Sequence, residues 1–228
     1  MQPLLLPSQP NPTEIHPGET ALIIIDMQKD FLYHGGFGEL LGNDVSLLQQ
    51  AIAPIQQVLS AWRAAGQLVI HTREGHLPDM TDCPPVKLER WPAPRIGDSG
   101  PMGRILIRGE VGHALIDELA PALGEIVIDK PGKNAFYNTD LDAILRTRGI
   151  RNLLVAGVTT DVCVFSTTTG ANDHGFNAIV LSDCVASYNP ARHAAALDII
   201  KAQGGIFGFI ATSQDVITAL QPIAMSCH

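Results

Sequence analysis

Six short runs of aliphatic residues, separated by stretches with helical spacing, constrain the fold of this chain most. The runs cover residues 20–26, 67–71, 125–129, 152–157, 177–182 and 206–210. They are continuously apolar, which is typical of strands covered on both faces. Helical patterns lie between and after them, roughly at residues 44–65, 113–120, 140–148, 162–174, 190–203 and 213–220. This alternation predicts an α/β fold in which a mostly parallel sheet carries helices on both faces.

A single domain accounts for the whole pattern, because 228 residues fit one α/β unit better than two. We expect that domain to span residues 18–222, between a proline-rich N-terminal arm (1–17) and a short C-terminal tail (223–228). The arm lacks the basic start and long apolar core of a signal peptide, and no apolar run is long enough to span a bilayer. Residues 73–111 form a long connection, which in a compact domain usually serves as a lid, a binding loop or a subunit contact.

Charge and cysteine content restrict the partners and the compartment. The net charge of −8 argues against nucleic acid or an anionic membrane as a partner. Four cysteines without a C-x-x-C pair argue against a disulfide framework and favour a reducing, cytoplasmic setting. The overall charge does not restrict the charge of a small substrate, since a pocket sets its own local field.

A cysteine follows the fourth apolar run, in the segment GVTTDVCV at residues 157–164. It falls where a helix should begin, close to unpaired N–H groups and the positive end of the helix dipole. That position predicts a lowered thiol pKa and a nucleophilic Cys163, with N–H groups available for an oxyanion. The alternative is a small buried residue that packs a helix against the sheet.

Two charged residues end other apolar runs. Asp26 closes the run at residues 20–26, and Lys130 follows the run at residues 125–129. Taken singly, Asp26 could be a turn former and Lys130 a solvated loop residue. The carboxyl ends of parallel strands meet at one edge of a sheet, however, so both side chains can converge with Cys163. A carboxylate, a lysine and a thiol at the start of a helix make a complete set for covalent catalysis.

The segments ALIIIDMQKDF, VIDK and GVTTDVCV, in this order, resemble the isochorismatase-like cysteine hydrolases over about residues 18–220. This superfamily includes nicotinamidases and several hydrolases of ureido compounds. The resemblance implies a three-layer fold with a six-stranded sheet in the order 3-2-1-4-5-6, assembled as a dimer or a tetramer. It implies a catalytic triad of Asp26, Lys130 and Cys163 and no cofactor. It also implies a cis peptide bond before Thr159 and an oxyanion hole made of the backbone N–H groups of Thr159 and Cys163.

A metal site is the feature in which this chain departs from many nicotinamidases. Those proteins carry an Asp-x-His pair and a further histidine after the second strand, whereas this chain has Glu74 and His76 and then no histidine until His113. A structural metal needs at least three good protein ligands. We therefore expect no metal, and expect Glu74 and His76 to form hydrogen bonds or salt bridges.

The substrate is narrowed by a further resemblance, to biuret hydrolases. It rests on the stretches HTREGH (71–76), DSGPMGRIL (98–106), DKPGK (129–133) and KAQGG (201–205). It implies that Lys133 and Gln203 contact the substrate and that Phe31 forms part of the pocket wall. Without it, Lys133 would be interpreted as a solvated loop lysine and Gln203 as a polar residue at a helix end. Residues 134–138 and 185–190 differ from the biuret hydrolase pattern and could reshape the pocket.

The expected reaction is hydrolysis of biuret to allophanate and ammonia through an acyl-thioester on Cys163. Triuret, nicotinamide, ureidoacrylate and other N-carbamoyl compounds remain alternatives, and an acidic substrate would need a cation such as Arg73 or Arg104. True isochorismatases lack the cysteine, so Cys163 argues against vinyl ether cleavage. A different class of function is a catalytically idle protein that binds a metabolite or serves in an assembly.

Overall fold

The computed structural model of the chain describes residues 2–90 and 94–224. Its strands, numbered in chain order, are β1 (Leu4–Leu6), β2 (Thr13–Ile15), β3 (Thr20–Ile25), β4 (Leu68–Glu74), β5 (Ser99–Gly100), β6 (Gly103–Arg104), β7 (Ile126–Lys130), β8 (Asn152–Val158), β9 (Asn177–Ala186) and β10 (Phe209–Ala211). Its α-helices are α1 (Lys29–Leu32), α2 (Phe37–Leu40), α3 (Ser46–Gln49), α4 (Ile52–Ala64), α5 (Pro85–Leu88), α6 (Leu141–Thr147), α7 (Phe165–Asp173), α8 (Pro190–Gly205) and α9 (Ser213–Ala224). A π-helical turn, Thr160–Val164, precedes α7.

Six strands form one sheet in the order β10-β9-β8-β3-β4-β7, and every neighbouring pair is parallel. In order of appearance along the chain this is 3-2-1-4-5-6, so the predicted topology is confirmed. β3 and β8 lie at the centre, and all their side chains are buried. Strands covered on both faces need apolar residues at every position, which explains the continuous runs in the sequence.

Helices cover both faces of the sheet, as predicted, and two apolar layers result. α4 and α9 pack on one face, where Ile55, Trp62 and Val216 contribute to the core. α6, α7 and α8 pack on the other face through residues such as Leu145 and Ile200. None of the helices described for residues 2–90 and 94–224 is long and apolar enough to cross a membrane.

The predicted N-terminal arm folds as part of the domain. β1 and β2 form an antiparallel hairpin, and Leu4, Leu6 and Ile15 belong to the hydrophobic core. The backbone of Gln9 also pairs with Ile210 in the edge strand β10. The proline-rich composition concealed the alternation of buried and exposed residues in these short strands. Of the predicted tail, residues 225–228 lie outside the described part of the chain.

Two predicted helices differ from the structure. The pattern at residues 44–65 is divided into α3 and α4. Pro54, in the first turn of α4, has no N–H to donate to the carbonyl four residues earlier, which explains the break. The predicted helix at residues 113–120 is only a 3-10 turn, Asp117–Leu119. Its first half is extended, because Leu115 pairs with Gln28 and the N–H of Ile116 bonds to Met27.

The long connection at residues 73–111 begins with the last residues of β4 and contains α5 and the β5–β6 hairpin. The buried carboxylate of Asp30, in α1, joins this segment to α2. It accepts hydrogen bonds from the N–H of Leu106 in the connection (3.0 Å) and from the N–H of Phe37 in α2 (3.4 Å). The connection therefore packs over the carboxyl edge of the sheet, beside α1 and α2.

Candidate active site

The carboxyl edge of the sheet brings together four polar side chains from four neighbouring strand ends. Asp26 follows β3, Glu74 ends β4 and Lys130 ends β7, while Cys163 lies in the turn after β8. The parallel register places these ends side by side, with Glu74 paired with Lys130. The predicted convergence of Asp26, Lys130 and Cys163 is thus present in the structure.

Asp26 is fully buried and has a positive φ of 51°. Its backbone N–H donates to the carbonyl of Thr72 (3.1 Å), and the Thr72 hydroxyl donates to Asp26 Oδ1 (2.7 Å). Asp26 Oδ2 lies 2.7 Å from Lys130 Nζ. Burial raises the pKa of Asp26 above its ordinary value, Lys130 lowers it, and the negative charge of Glu74 raises it further. Asp26 is therefore a carboxylate with a strengthened affinity for a proton.

Lys130 is a fully buried ammonium group between two carboxylates. Besides Asp26, its Nζ lies 3.9 Å from Glu74 Oε2 and donates to the carbonyl oxygen of Gly132 (2.8 Å). Burial is the largest single influence and would lower the pKa of Lys130, but Asp26, Cys163 and Glu74 together hold that pKa above its ordinary value. Lys130 therefore remains charged, and cannot be the base for the thiol.

Cys163 is 4% exposed and lies in the π-helical turn, not in the first turn of a regular α-helix. Burial raises the pKa of its thiol well above the ordinary value; Lys130 lowers the pKa, while Asp26 raises it. The prediction of a lowered thiol pKa is therefore wrong, because removal from water is the largest influence on it. The resting form is a thiol that must lose its proton to a neighbour before it can attack.

The peptide bond between Val158 and Thr159 is cis, as the resemblance implied. The carbonyl oxygen of Thr159 accepts hydrogen bonds from the N–H groups of Val162 and Val164, both at 3.1 Å. Side chains also hold the turn, since Thr160 Oγ1 lies 2.8 Å from His193 Nδ1 in α8. These contacts fix the turn that carries the thiol.

Glu74 is the residue that the sequence interpretation undervalued. Its side chain is fully buried, and the Cys163 thiol donates to Glu74 Oε2 at 3.4 Å. Lys133 Nζ contacts the other oxygen, Oε1, at 2.5 Å. Burial would raise the pKa of Glu74, but Lys133 and Lys130 together hold it below its ordinary value. Its place at the end of a parallel strand, like that of Asp26, was the signal that could have identified it.

Buried amide contacts fix the position of Glu74. The side-chain oxygen of Gln28 accepts from the N–H of Glu74 (2.7 Å), and its Nε2 donates to the carbonyl of Glu74 (2.9 Å). Gln28 also donates to the carbonyl of His113 (3.0 Å). One side chain therefore joins β4 to the segment that follows the long connection.

A cavity of about 470 Å³ opens above the thiol. The predicted residues Phe31, Lys133, Thr159 and Cys163 all line it, together with Glu74 and Tyr188. The Tyr188 hydroxyl donates to the backbone carbonyl of Phe31 (2.6 Å), which fixes this wall. This volume lies within the range of small-molecule sites.

Gln203 is not part of this cavity, so the prediction that it contacts a substrate is wrong for the cavity of its own chain. Arg192, near the start of α8, lines the cavity, and Gln203 lies eleven residues further along the same element. The backbone of α8 leaves helical angles at Ala202, so Gln203 lies at the end of this element opposite to Arg192. Gln203 is exposed and has a positive φ of 52°, as expected for a residue where a helix ends.

The residues considered for a metal site are divided between two surroundings. His76 pairs with Asp82 (Nδ1 to Oδ1, 3.2 Å), and Glu74 pairs with Lys133, which confirms their expected roles in hydrogen bonds and salt bridges. Asp26, Glu74 and Cys163 place donor atoms within 4.8 Å of one another. A cation there would have to displace ammonium groups from both carboxylates, so the donor set does not fit a metal well. The absence of a metal stays a prediction.

Comparison with known proteins agrees with this architecture. A ureidoacrylate amidohydrolase RutB from Stutzerimonas stutzeri is 38% identical over 205 residues, covering 87% of this chain and 83% of that protein. The RutB of Agrobacterium fabrum is 33% identical and covers 96% and 99%. A cysteine hydrolase from Pseudomonas syringae superposes with a TM-score of 0.77 at 28% identity, covering 91% and 95%. The N-carbamoylsarcosine amidase of Thermoplasma acidophilum gives a TM-score of 0.66 at 25% identity, covering 86% and 96%.

A three-layer α/β fold with a buried thiol, a carboxylate and a lysine at the carboxyl edge of its parallel sheet is the arrangement of a cysteine hydrolase. Residues 20–215 match the isochorismatase domain model. The chain therefore belongs to the isochorismatase family. The curated relatives described above are named for ureidoacrylate and not for biuret, so the resemblance to biuret hydrolases bears only on the choice of substrate.

Proposed function

We propose that this member of the isochorismatase family, a hydrolase of amide C–N bonds, uses Cys163 to cleave the terminal carbamoyl group of a small ureido compound. The observation that carries the proposal is the convergence of the Cys163 thiol, the Asp26–Lys130 pair and the Glu74–Lys133 pair beside one cavity, which Cys163, Glu74 and Lys133 line. Nucleophile, base and substrate-binding groups are then all within one small volume.

Asp26 is the general base, and Glu74 is not. Both carboxylates lie near the sulfur, but the pKa of Asp26 is raised by burial, whereas Lys133 and Lys130 hold the pKa of Glu74 below its ordinary value. A carboxylate with a raised pKa holds a proton better, so the thiol proton passes to Asp26. Lys130 remains charged beside Asp26 and stabilises the thiolate once the proton has moved.

The thiolate then attacks the carbamoyl carbon, and the oxyanion is held by the backbone N–H groups of Thr159 and Cys163. Asp26 returns the proton to the leaving nitrogen, ammonia departs and an acyl-thioester remains on Cys163. Asp26 next takes a proton from water, the resulting hydroxide attacks the thioester, and the thiol is restored. With biuret the product would be allophanate.

The ion pair of Glu74 and Lys133 suits a ureido group, which offers a carbonyl acceptor and N–H donors. Glu74 accepts hydrogen bonds only, and Lys133 donates only. We assign Glu74 to the N–H groups of the substrate and Lys133 to a carbonyl oxygen. Phe31 and Tyr188 supply the apolar wall against the planar substrate.

Biuret and an acidic ureido compound are the two candidate substrates. The stretches shared with biuret hydrolases favour the first, and the similarity to ureidoacrylate amidohydrolases favours the second. The cations first considered for an acidic substrate do not serve it, because Arg73 binds Asp129 (2.7 Å) and Arg104 binds the carbonyl of Pro78 (2.7 Å). Arg192 does line the cavity mouth.

The test is ammonia release from biuret, triuret, ureidoacrylate, N-carbamoylsarcosine and nicotinamide, with the Cys163→Ala variant as the control. Release that requires Cys163, from at least one ureido compound, supports the proposal and ranks the substrates. Release only from nicotinamide would keep the nucleophile and overturn the substrate class. No release that depends on Cys163 would favour the idle, metabolite-binding alternative.

A further inference from the structure

A second cavity lies beside the candidate active site, and its charged lining is entirely basic. It has a volume of about 210 Å³ and is bordered by Lys87, Arg90 and Arg95 from the long connection and by Lys133. We call these four residues and the space between them the basic annex. Among the residues that line it in the described part of the chain, none is acidic.

Three of the four annex cations, Lys87, Arg90 and Arg95, have no salt bridge within the described ranges, whereas Lys133 pairs with Glu74. Neither the Arg90 nor the Arg95 guanidinium has a salt bridge to any residue in the described ranges 2–90 and 94–224. The nearby Asp98 accepts from the backbone N–H of Arg95 (2.8 Å), not from its side chain. Lys87 Nζ donates to the carbonyl of Pro131 (2.5 Å), and burial lowers its pKa, against the influence of Glu74 and with that of Lys133.

This crowding of cations stands out in a chain whose net charge is −8. The buried charges at the active cavity are balanced by comparison, because Asp26 and Glu74 are matched by Lys130 and Lys133. An anion entering this part of the molecule therefore meets no excess negative charge there, and it meets the positive charges of Lys87, Arg90 and Arg95 in the annex. Focusing of this kind raises the local concentration of anionic ligands.

The annex and the active cavity share two lining residues, Leu41 and Lys133. Two contacts connect Lys133 to the nucleophile, since its Nζ lies 2.5 Å from Glu74 Oε1 and the thiol lies 3.4 Å from Glu74 Oε2. The two cavities therefore adjoin at Leu41 and Lys133, close to the thiol. Phe37 and Leu106 form apolar walls there, which reduce the screening of charge by water.

We infer that the basic annex binds the carboxylate of a ureido acid whose carbamoyl carbon lies at Cys163. The inference rests on the proposed function and goes beyond it, because it selects an acidic substrate over neutral biuret. Arg90 and Arg95 bind the carboxylate by charge-assisted hydrogen bonds. Lys133 lines both cavities and lies between the carbamoyl end and the acid end of the substrate.

The experiment uses a matched pair of substrates, 3-ureidopropionate and its primary carboxamide, which differ only in the acid group. Arg90→Gln, Arg95→Gln and the double variant are compared with Arg148→Gln, an exposed arginine outside the annex. We expect each single annex variant to lower kcat/KM for the acid by about tenfold, mainly through KM, because one charge-assisted contact is lost, and the double variant to lower it further. The carboxamide should change by less than twofold, and Arg148→Gln should affect neither substrate.

Equal losses for acid and carboxamide, or no loss for either, would overturn the inference. Failure of the proposed function is a separate result, namely no Cys163-dependent turnover of either compound by the wild type. In that case calorimetric binding of 3-ureidopropionate to Cys163→Ala decides the question. Binding that disappears in the triple variant with Arg90→Gln and Arg95→Gln supports the annex, and undetectable or unchanged binding contradicts it.

Discussion

The Cys163 thiol donates its hydrogen bond to Glu74 Oε2 at 3.4 Å, although Asp26 is the carboxylate with the raised pKa. In the proposed mechanism the two carboxylates have different tasks within one network. Glu74, which is held by Lys133, orients the sulfur and presents an acceptor to the cavity, whereas Asp26 holds the proton during the reaction. A ureido substrate would take over the Glu74 contact and release the thiol toward Asp26.

Replacing Glu74 with glutamine should shift the pH dependence of the reaction. The negative charge of Glu74 raises the pKa of Asp26, so Glu74→Gln lowers that pKa. Because the reaction needs Asp26 ionised, the acid limb of kcat/KM should move to lower pH. The substrate contact is also weakened, so KM should rise by about tenfold or more. The measurement is a pH profile of kcat/KM, with exposed Glu89→Gln as the control. A limb that stays in place or moves to higher pH would contradict the assignment of Asp26 as base.

Removing Lys130 should destabilise the fold strongly, because it leaves a carboxylate buried without its partner. Lys130 and Asp26 are both fully buried and lie 2.7 Å apart. We expect Lys130→Met to reduce the free energy of unfolding by about 3–5 kcal/mol. Lys130→Met combined with Asp26→Asn should recover part of that loss. Urea unfolding at neutral pH measures both, with the partly exposed Lys201→Met expected to cost less than about 1 kcal/mol. Equal costs for the two lysine variants would show that the buried pair does not support the fold.

The convergence of the triad could be predicted because it depends only on topology. Asp26 and Lys130 directly follow continuously apolar runs, and the ends of parallel strands meet whatever the details of packing. The direction of the thiol pKa could not be predicted in this way. It depends on how deeply Cys163 is covered by residues that are distant in sequence, and local position indicates only the helix terminus.

Gln203 and Glu74 also show the difference between what the local sequence can predict and what depends on the folded chain. Gln203 was assigned by resemblance alone, and no local physical argument placed it near the carboxyl edge. The structure puts it near the far end of α8, away from the cavity. Glu74 was considered only together with His76, as a poor match to a metal pair that was expected to form hydrogen bonds or salt bridges, and not as part of the active site. Its partner Lys133 is 59 residues away, a contact that only the folded chain reveals.

His113 should make the stability of the protein dependent on pH below neutrality. Burial lowers its pKa from 6.5 to about 4, although Asp129, 3.5 Å away, acts in the opposite direction. The unfolded chain therefore binds a proton at His113 before the folded state does. Stability is fully present above about pH 6.5 and is lost progressively as the pH falls to about 4.

The loss attributable to His113 should reach on the order of 3 kcal/mol, and His113→Gln should reduce the slope of stability against pH in this range. Urea unfolding between pH 4 and 7 provides the measurement. His71 and His76 also have pKa values lowered by burial, so a smaller slope should remain in the variant. An unchanged slope would mean that His113 is protonated in the folded state.

Replacing Asp26 with asparagine should abolish turnover and yet make Cys163 easier to alkylate. The negative charge of Asp26 raises the pKa of the thiol, while Lys130 lowers it. Asp26→Asn removes the first influence and frees Lys130 to stabilise the thiolate, so the pKa of Cys163 should fall. Turnover should drop by at least about 100-fold, because the general base is lost.

Iodoacetamide labelling, corrected with the Cys163→Ala background, separates these effects. In the wild type, labelling at neutral pH should be slow, because the thiol is buried and largely protonated. Slow labelling therefore cannot by itself identify an idle protein. Faster labelling of Asp26→Asn together with lost turnover would mean that Asp26 works by accepting the proton, and not by making the sulfur reactive at rest. Slower labelling would mean that Asp26 already takes the proton from the resting thiol. The reactive form would then be a preformed pair of the Cys163 thiolate and the Lys130 ammonium group.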